Sequence, residues 1–136
     1  MMKTFLAILL LLGSLVHSPP HLWANDLDQL LGTLIIGTWE EGTTPYGIVI
    51  FSDDGTFQAK MFKSKQKKEQ LLEFKGTWRI EDSELLSVLT ESSSPQAPVG
   101  EALTDTIVQI NRTELMLIGI NGRRYSKFRV FPEITE

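Results

Sequence analysis

Residues 71 to 82 read Leu71-Leu72-Glu73-Phe74-Lys75-Gly76-Thr77-Trp78-Arg79-Ile80-Glu81-Asp82 and alternate almost without error. Leu72, Phe74, Gly76, Trp78 and Ile80 fall on one face, and Glu73, Lys75, Thr77 and Arg79 on the other. Side chains along a strand point to opposite faces with a period of two, so this stretch is a strand with one dry and one wet side. Its Gly76-Thr77-Trp78 echoes Gly37-Thr38-Trp39 earlier in the chain. The segments between the two do not match, so the echo is reuse of a local strand solution rather than a repeat architecture.

Short apolar or alternating runs recur along the rest of the chain. Strands are expected near 35–41, 46–52, 56–63, 69–80, 84–91, 102–110, 114–120 and 123–130. The breaks carry turn chemistry: Gly42-Thr43-Thr44-Pro45, Asp53-Asp54-Gly55, Glu81-Asp82-Ser83, Asn111-Arg112-Thr113 and Asn121-Gly122. Asn-Gly between apolar runs signals a tight hairpin. Short turns join neighbours in antiparallel pairs, and no crossover helix is available. The expected fold class is therefore all-β: an eight-stranded antiparallel up-and-down barrel, whose closure removes the sheet edges.

The chain opens with Lys3 and an unbroken apolar run from Phe5 to Leu12, followed by His17, Ser18, Pro19 and Pro20. This is the pattern of a secretory signal peptide, too short for a membrane span. Residues 1–24 are expected to be the leader, cleaved after Ala24, and residues 25–136 a single barrel domain. The expected location is secreted or periplasmic, with no stable membrane span once the leader is gone.

Cleavage at that point removes both His17 and His21, and the chain has no Cys. Histidine- or thiolate-ligated metal sites and Ser-His or Cys-His nucleophile pairs then have no residues to build them within one chain. The expectation is no enzyme, no metal and no cofactor. Without Lys3, twelve basic residues face seventeen acidic ones, which gives no sign of general nucleic-acid binding. Asn25 to Leu34 should form a short helix. Asn25 or Asp26 caps it, Leu27, Leu30, Leu31 and Leu34 form its apolar stripe, and it ends near Gly32. It is expected to plug one end of the main fold; the other reading is a partner-binding helix.

Three motifs, in this order and spacing, carry a resemblance to a known family. They are Gly37-Thr38-Trp39, then Phe51-Ser52-Asp53-Asp54-Gly55-Thr56-Phe57, then Gly76-Thr77-Trp78 followed by a turn and Leu85-Leu86. The chain resembles the lipocalin-like small barrels of the calycin group, of the exported bacterial type, over about residues 35 to 130. The resemblance implies that Trp39 lies at the closed end and packs against an arginine of the last strand, for which Arg129 is the match. Trp39, Trp78 and Arg129 are thus expected to be structural. Two features depart from the family: the loop after the first strand is short, and a helix after the last strand is missing.

Meander topology sorts the loops by parity. One end receives the loops at 42–45, 64–68, 92–101 and 121–122, with Lys63, Lys65, Lys67, Lys68, Arg123 and Arg124. The other receives tight turns with Asp53, Asp54, Glu81, Asp82, Glu84 and Glu114, together with the helix. A net basic mouth should face away from a closed acidic floor. Just inside the mouth the strand ends offer Met61, Leu72, Leu103, Ile118 and Tyr125. An apolar funnel under a rim of Lys63, Lys65, Lys67 and Lys68 suits a small apolar or amphipathic anion. Lysines at a hairpin tip also serve simply to solvate it.

Arg124-Tyr125-Ser126-Lys127-Phe128-Arg129 leaves two registers open. With Arg124, Ser126 and Phe128 inward, Tyr125, Lys127 and Arg129 are solvated. With the other face inward, Tyr125 and Lys127 are positioned to hold a carboxylate, and the buried cations need a ligand, an acid or water. Other features are bland. Asp53-Asp54-Gly55 has too few oxygen ligands for calcium. Glu40 and Glu41, adjacent on a strand, point to opposite faces and cannot flank one substrate. Two functions follow: an exported lipocalin-like binding protein for a small amphipathic ligand, or a protein-binding module, an inhibitor or accessory subunit, whose basic loops meet an acidic partner.

Overall fold

The computed structural model describes residues 20–131, with side chains placed from Asp26 onward. Most of the expected leader, residues 1–19, lies outside the described residues. Helix α1 spans Pro20–Ile35, and eight strands follow: β1 (Gly37–Glu41), β2 (Tyr46–Phe51), β3 (Thr56–Phe62), β4 (Gln70–Glu81), β5 (Glu84–Ser92), β6 (Ala102–Ile110), β7 (Glu114–Ile118) and β8 (Arg124–Arg129). Each strand pairs antiparallel with the next, and β1 pairs with β8, closing the barrel.

The period of two in β4 survives folding, with a local irregularity at Lys75/Gly76. Gly76 is buried, and a side chain there has no room: a Cβ would lie 2.1 Å from the Val88 carbonyl oxygen and 2.6 Å from Phe57. Trp78 packs edge-on against Phe51, 5.7 Å between centroids, and its Nε1 donates to the Ser52 carbonyl at 3.0 Å. The Asp54 carboxylate accepts from the backbone and hydroxyl of Thr56, which closes the β2–β3 turn and holds that carboxyl below its ordinary range. Asn111 does the same for β6–β7, where its Oδ1 accepts from Thr113 and Glu114.

The core runs from the helix into the barrel. Leu31, Ile35, Trp39, Val49, Phe51, Phe57, Leu85, Leu89, Ile107, Leu115 and Leu117 form one buried cluster. The helix does cover the floor, but by a different face and to a greater length than its sequence suggested. It runs through Gly32 to Ile35, and its sealed residues are Leu31 and Ile35, whereas Leu27 and Leu30 are about half exposed. Two tertiary contacts account for the extra turn. Burial of Ile35 rewards helix past the glycine, and the terminal carbonyls find donors in other elements. The helix also begins at Pro20, ahead of the Asn25 or Asp26 expected to cap it. Midway along it, the Asp28 carboxylate accepts from the backbone of Asp82 and Ser83 at 2.8 and 3.0 Å, clamping α1 to the β4–β5 turn.

Candidate functional site at the barrel mouth

Register decides which face of β8 looks inward. Tyr125 pairs with Leu117, Lys127 with Leu115, and Arg129 with Trp39. All three partners are fully buried, so Tyr125, Lys127 and Arg129 point into the barrel, and Arg124, Ser126 and Phe128 point out. Three polar side chains inside a barrel must each find partners, and they do.

Arg129 lies at the floor. Its guanidinium is 4.3 Å from the Trp39 ring and donates to the carbonyls of Leu34, Ile36 and Arg112. Lys127 donates to Glu41, its neighbour across the β1–β8 pair. The Tyr125 hydroxyl donates to Asp105 Oδ1 at 2.7 Å. The Lys127 ammonium also sits 5.4 Å from the Tyr125 ring centroid. Burial first, then the hydrogen bond and charge of Asp105, push the Tyr125 phenol well above its ordinary range.

Asp105 pairs with Leu85 on β5, which is buried, so it too faces inward. Neither Glu41 nor Asp105 stands out in the sequence as the partner of an inward cation or phenol. Only the pairing of β6 with β5 and the closure of β1 onto β8 bring them there.

Above this quartet is a pocket of about 380 Å³ lined by Glu41, Asp105, Gly119, Ile120, Asn121, Arg123, Arg124 and Tyr125. Six of these residues come from the short loop at 119–123 and the start of β8. Asn121 Oδ1 accepts from the Arg123 backbone at 3.0 Å, and Gly122, at φ +80°, donates to the Gly119 carbonyl, so the loop is a built turn. Ile120 at its tip is 96 % exposed.

Of the residues expected to bind ligand, Tyr125 lines this pocket, and Lys127 reaches it through Glu41. Met61 and Leu72 form an inward, half-buried pair on β3 and β4 and do not line it. Leu103 faces inward opposite Ser87, is 44 % exposed, and does not line it either. Ile118 is corrected: it pairs with Arg124, one residue out of phase with buried Leu117, and so stands on the outer face.

Of the expected rim, Lys63, Lys65, Lys67 and Lys68 are not among the residues that line this pocket. Lys67 takes φ +62°, and the hairpin brings its ammonium back over the Tyr46 ring at 5.9 Å. There Lys67 borders an outer groove of about 260 Å³ with Ile48, Ile50, Gln58, Lys60 and Phe62. Lys63 reaches exposed Glu69 at 4.0 Å, a contact worth little in water. Arg123, in the loop between β7 and β8, is a cation of the mouth; Arg124 borders the pocket from the outer face. Among the described residues, no group of three or more Asp, Glu, His or Cys is placed to hold a metal ion, and no helix is long and apolar enough to cross a membrane.

No protein-family model matches the chain, and no curated relative matches it in sequence. Solved structures do match its fold. A lipocalin-like protein from Bacteroides uniformis ATCC 8492 superposes with a TM-score of 0.52 at 15 % identity, over 71 % of this chain and 98 % of that one. An uncharacterized protein from Bacteroides eggerthii DSM 20697 gives 0.51 at 15 %, over 71 % and 99 %. With a closed eight-stranded meander and a helix across its floor, the chain has the lipocalin-like fold.

Proposed function

We propose that this chain is an exported, non-enzymatic binding protein that takes a small amphipathic ligand, anionic head included, at the barrel mouth. The observation that carries the reading is the composition of the mouth pocket: Arg123 borders the same 380 Å³ space as the apolar Ile120. Inward-facing Leu103, half exposed, adds apolar surface nearby. A concave site with a few convergent polar groups and an apolar margin is the usual form of a small-molecule site. Lys127 plays a different part here from the one its sequence position suggested. Glu41 already neutralises it, so it shapes the wall and leaves Arg123 to meet the anion.

The test is titration of the protein with octanoate, followed by calorimetry and by amide resonances. Saturable shifts confined to 119–125, weakened by Arg123→Gln and by added salt, support the reading. Exposed charges are screened over about 8–10 Å near physiological ionic strength, so the salt effect should be clear. Absence of saturable binding removes it.

The second reading, an acidic protein partner at the β3–β4 hairpin, draws on Lys65 and Lys68. Both are exposed and make no ion pair among the described residues. Co-purification from the native host, compared with a Lys→Gln variant at 63, 65, 67 and 68, separates it from the first. Export is tested in the same preparation by sequencing the mature N-terminus, expected at Asn25.

A further inference from the structure

The mouth pocket holds both signs of charge, and they are not matched to each other. On its inner wall stand two carboxylates, Glu41 and Asp105. Glu41 has an ammonium partner in Lys127. Asp105 has only the neutral Tyr125 hydroxyl, on one oxygen, and takes part in no ion pair among the described residues. Glu41, Asp105, Lys127 and Tyr125 together leave the wall one negative charge in excess. On the hairpin side stands Arg123, which likewise makes no ion pair among the described residues; Arg124 points outward, its guanidinium 3.9 Å from Met116 Sδ on the outer face. Although Arg123 lines the same pocket as Asp105, none of its guanidinium nitrogens comes within ion-pair distance of that carboxylate.

We infer that the ligand of this pocket is a zwitterion of the α-amino acid type, its ammonium group on Asp105 and its carboxylate toward Arg123. This rests on the reading of the mouth as the ligand site and names the ligand class. A plain carboxylate would satisfy Arg123 and leave the excess negative charge of the wall unmet. A plain amine would satisfy Asp105 and leave Arg123 unmet. Only a ligand carrying both charges pairs both, and hydrogen bonds between ionised groups are the strong ones in a partly desolvated site. A volume of about 380 Å³ accepts a molecule of that size, with an apolar side chain lying along Ile120.

Three probes share one alkyl chain and differ only in charge: α-aminooctanoate, octanoate and heptylamine. Each is titrated calorimetrically into the full-length mature protein at low salt. The zwitterion is expected to bind at least about tenfold more tightly than either of the others, the scale of one added charge-assisted hydrogen bond. Asp105→Asn should reduce its affinity to the level of octanoate, while octanoate binds the variant as well as it binds wild type. Arg123→Gln should weaken both.

A wild-type measurement guards against a misfolded variant: the α-proton of bound α-aminooctanoate should show nuclear Overhauser contacts to the Tyr125 ring. Equal binding of octanoate and α-aminooctanoate, or no contact to Tyr125, overturns the zwitterion while the mouth remains an anion site. Failure of all three probes to bind overturns the mouth site itself.

Discussion

The Trp39 indole and the Arg129 guanidinium, 4.3 Å apart, together cap one helix. Trp39 Nε1 donates to the Ile35 carbonyl at 2.8 Å, and Arg129 donates to those of Leu34 and Ile36 at 2.6 and 3.0 Å. The last carbonyls of a helix lack intrahelical donors and carry its negative pole, so a cation that hydrogen-bonds them is doubly favourable. Gly37 makes room for this: its φ is +134°, and a Cβ there would lie 2.5 Å from Arg129 Nη1.

Replacing Arg129 with Met should therefore strand these carbonyls and lower stability by about 2–4 kcal/mol. Urea denaturation measures it. Arg129→Lys should recover little, because one ammonium cannot reproduce the fork of the guanidinium. Full recovery by Lys would show that charge alone holds the helix.

Gly76→Ala should be as harmful as many core truncations despite adding only a methyl group. The new Cβ would meet the Val88 carbonyl and Phe57 at 2.1 and 2.6 Å, and the first is backbone that cannot swing away. Overpacking of this kind costs about 1–3 kcal/mol. The midpoint of thermal unfolding should fall; an unchanged midpoint would mean that β4 and β5 separate easily there.

At the β4–β5 turn, Asp82 and Ser83 hold φ of +53° and +63°, a conformation costly for residues with a Cβ. Asp28 offsets the cost through its two hydrogen bonds. Asp28→Ala should lose about 1–2 kcal/mol, and hydrogen exchange should quicken in α1 before it does in β7. Conversely, Ser83→Gly should stabilise by about 0.5–1 kcal/mol, since glycine adopts this turn freely.

Alkaline pH gives a separate prediction. Burial, then the hydrogen bond and charge of Glu40, push the Tyr46 phenol up to about 12, and Tyr125 is raised as well. In the unfolded chain both should titrate near pH 10, roughly the free value. The folded protein holds these protons more tightly. The stability they contribute is thus complete below about pH 10 and is lost as pH rises through about 12. The chain has only two tyrosines, so tyrosinate absorbance reads them directly. No tyrosinate should form at pH 10 while the circular dichroism stays native, and its appearance should coincide with unfolding. Half-developed absorbance at pH 10 in a folded sample would contradict the burial of both.

Much of the fold was legible because its signals are local. Alternation along 71–82 marks β4, and the Asp-Gly and Asn-Gly turns mark strand ends, since each depends on neighbours a few residues away. Eight strands joined by short turns leave little choice but a meander. The strand ends at 118 and 124, where the sequence suggested 120 and 123, moved only slightly. The pairing of Trp39 with Arg129 came from family resemblance, and no spacing rule would have produced it.

Closure of the barrel decided the rest. Glu41 and Lys127 are 86 residues apart and meet only because β1 joins β8. Asp105 reaches Tyr125 only through the register of β6. A strand sequence with polar residues on both faces, such as β8, does not say which face turns inward; the buried Leu115, Leu117 and Trp39 beside it do. Loop parity placed the lysine hairpin at the mouth end, but which lysine turns back over the outward Tyr46 ring, Lys67, is set only by the folded hairpin. A site assembled from three strands and a loop exists only when the register of all the strands is set, and register is a property of the closed sheet.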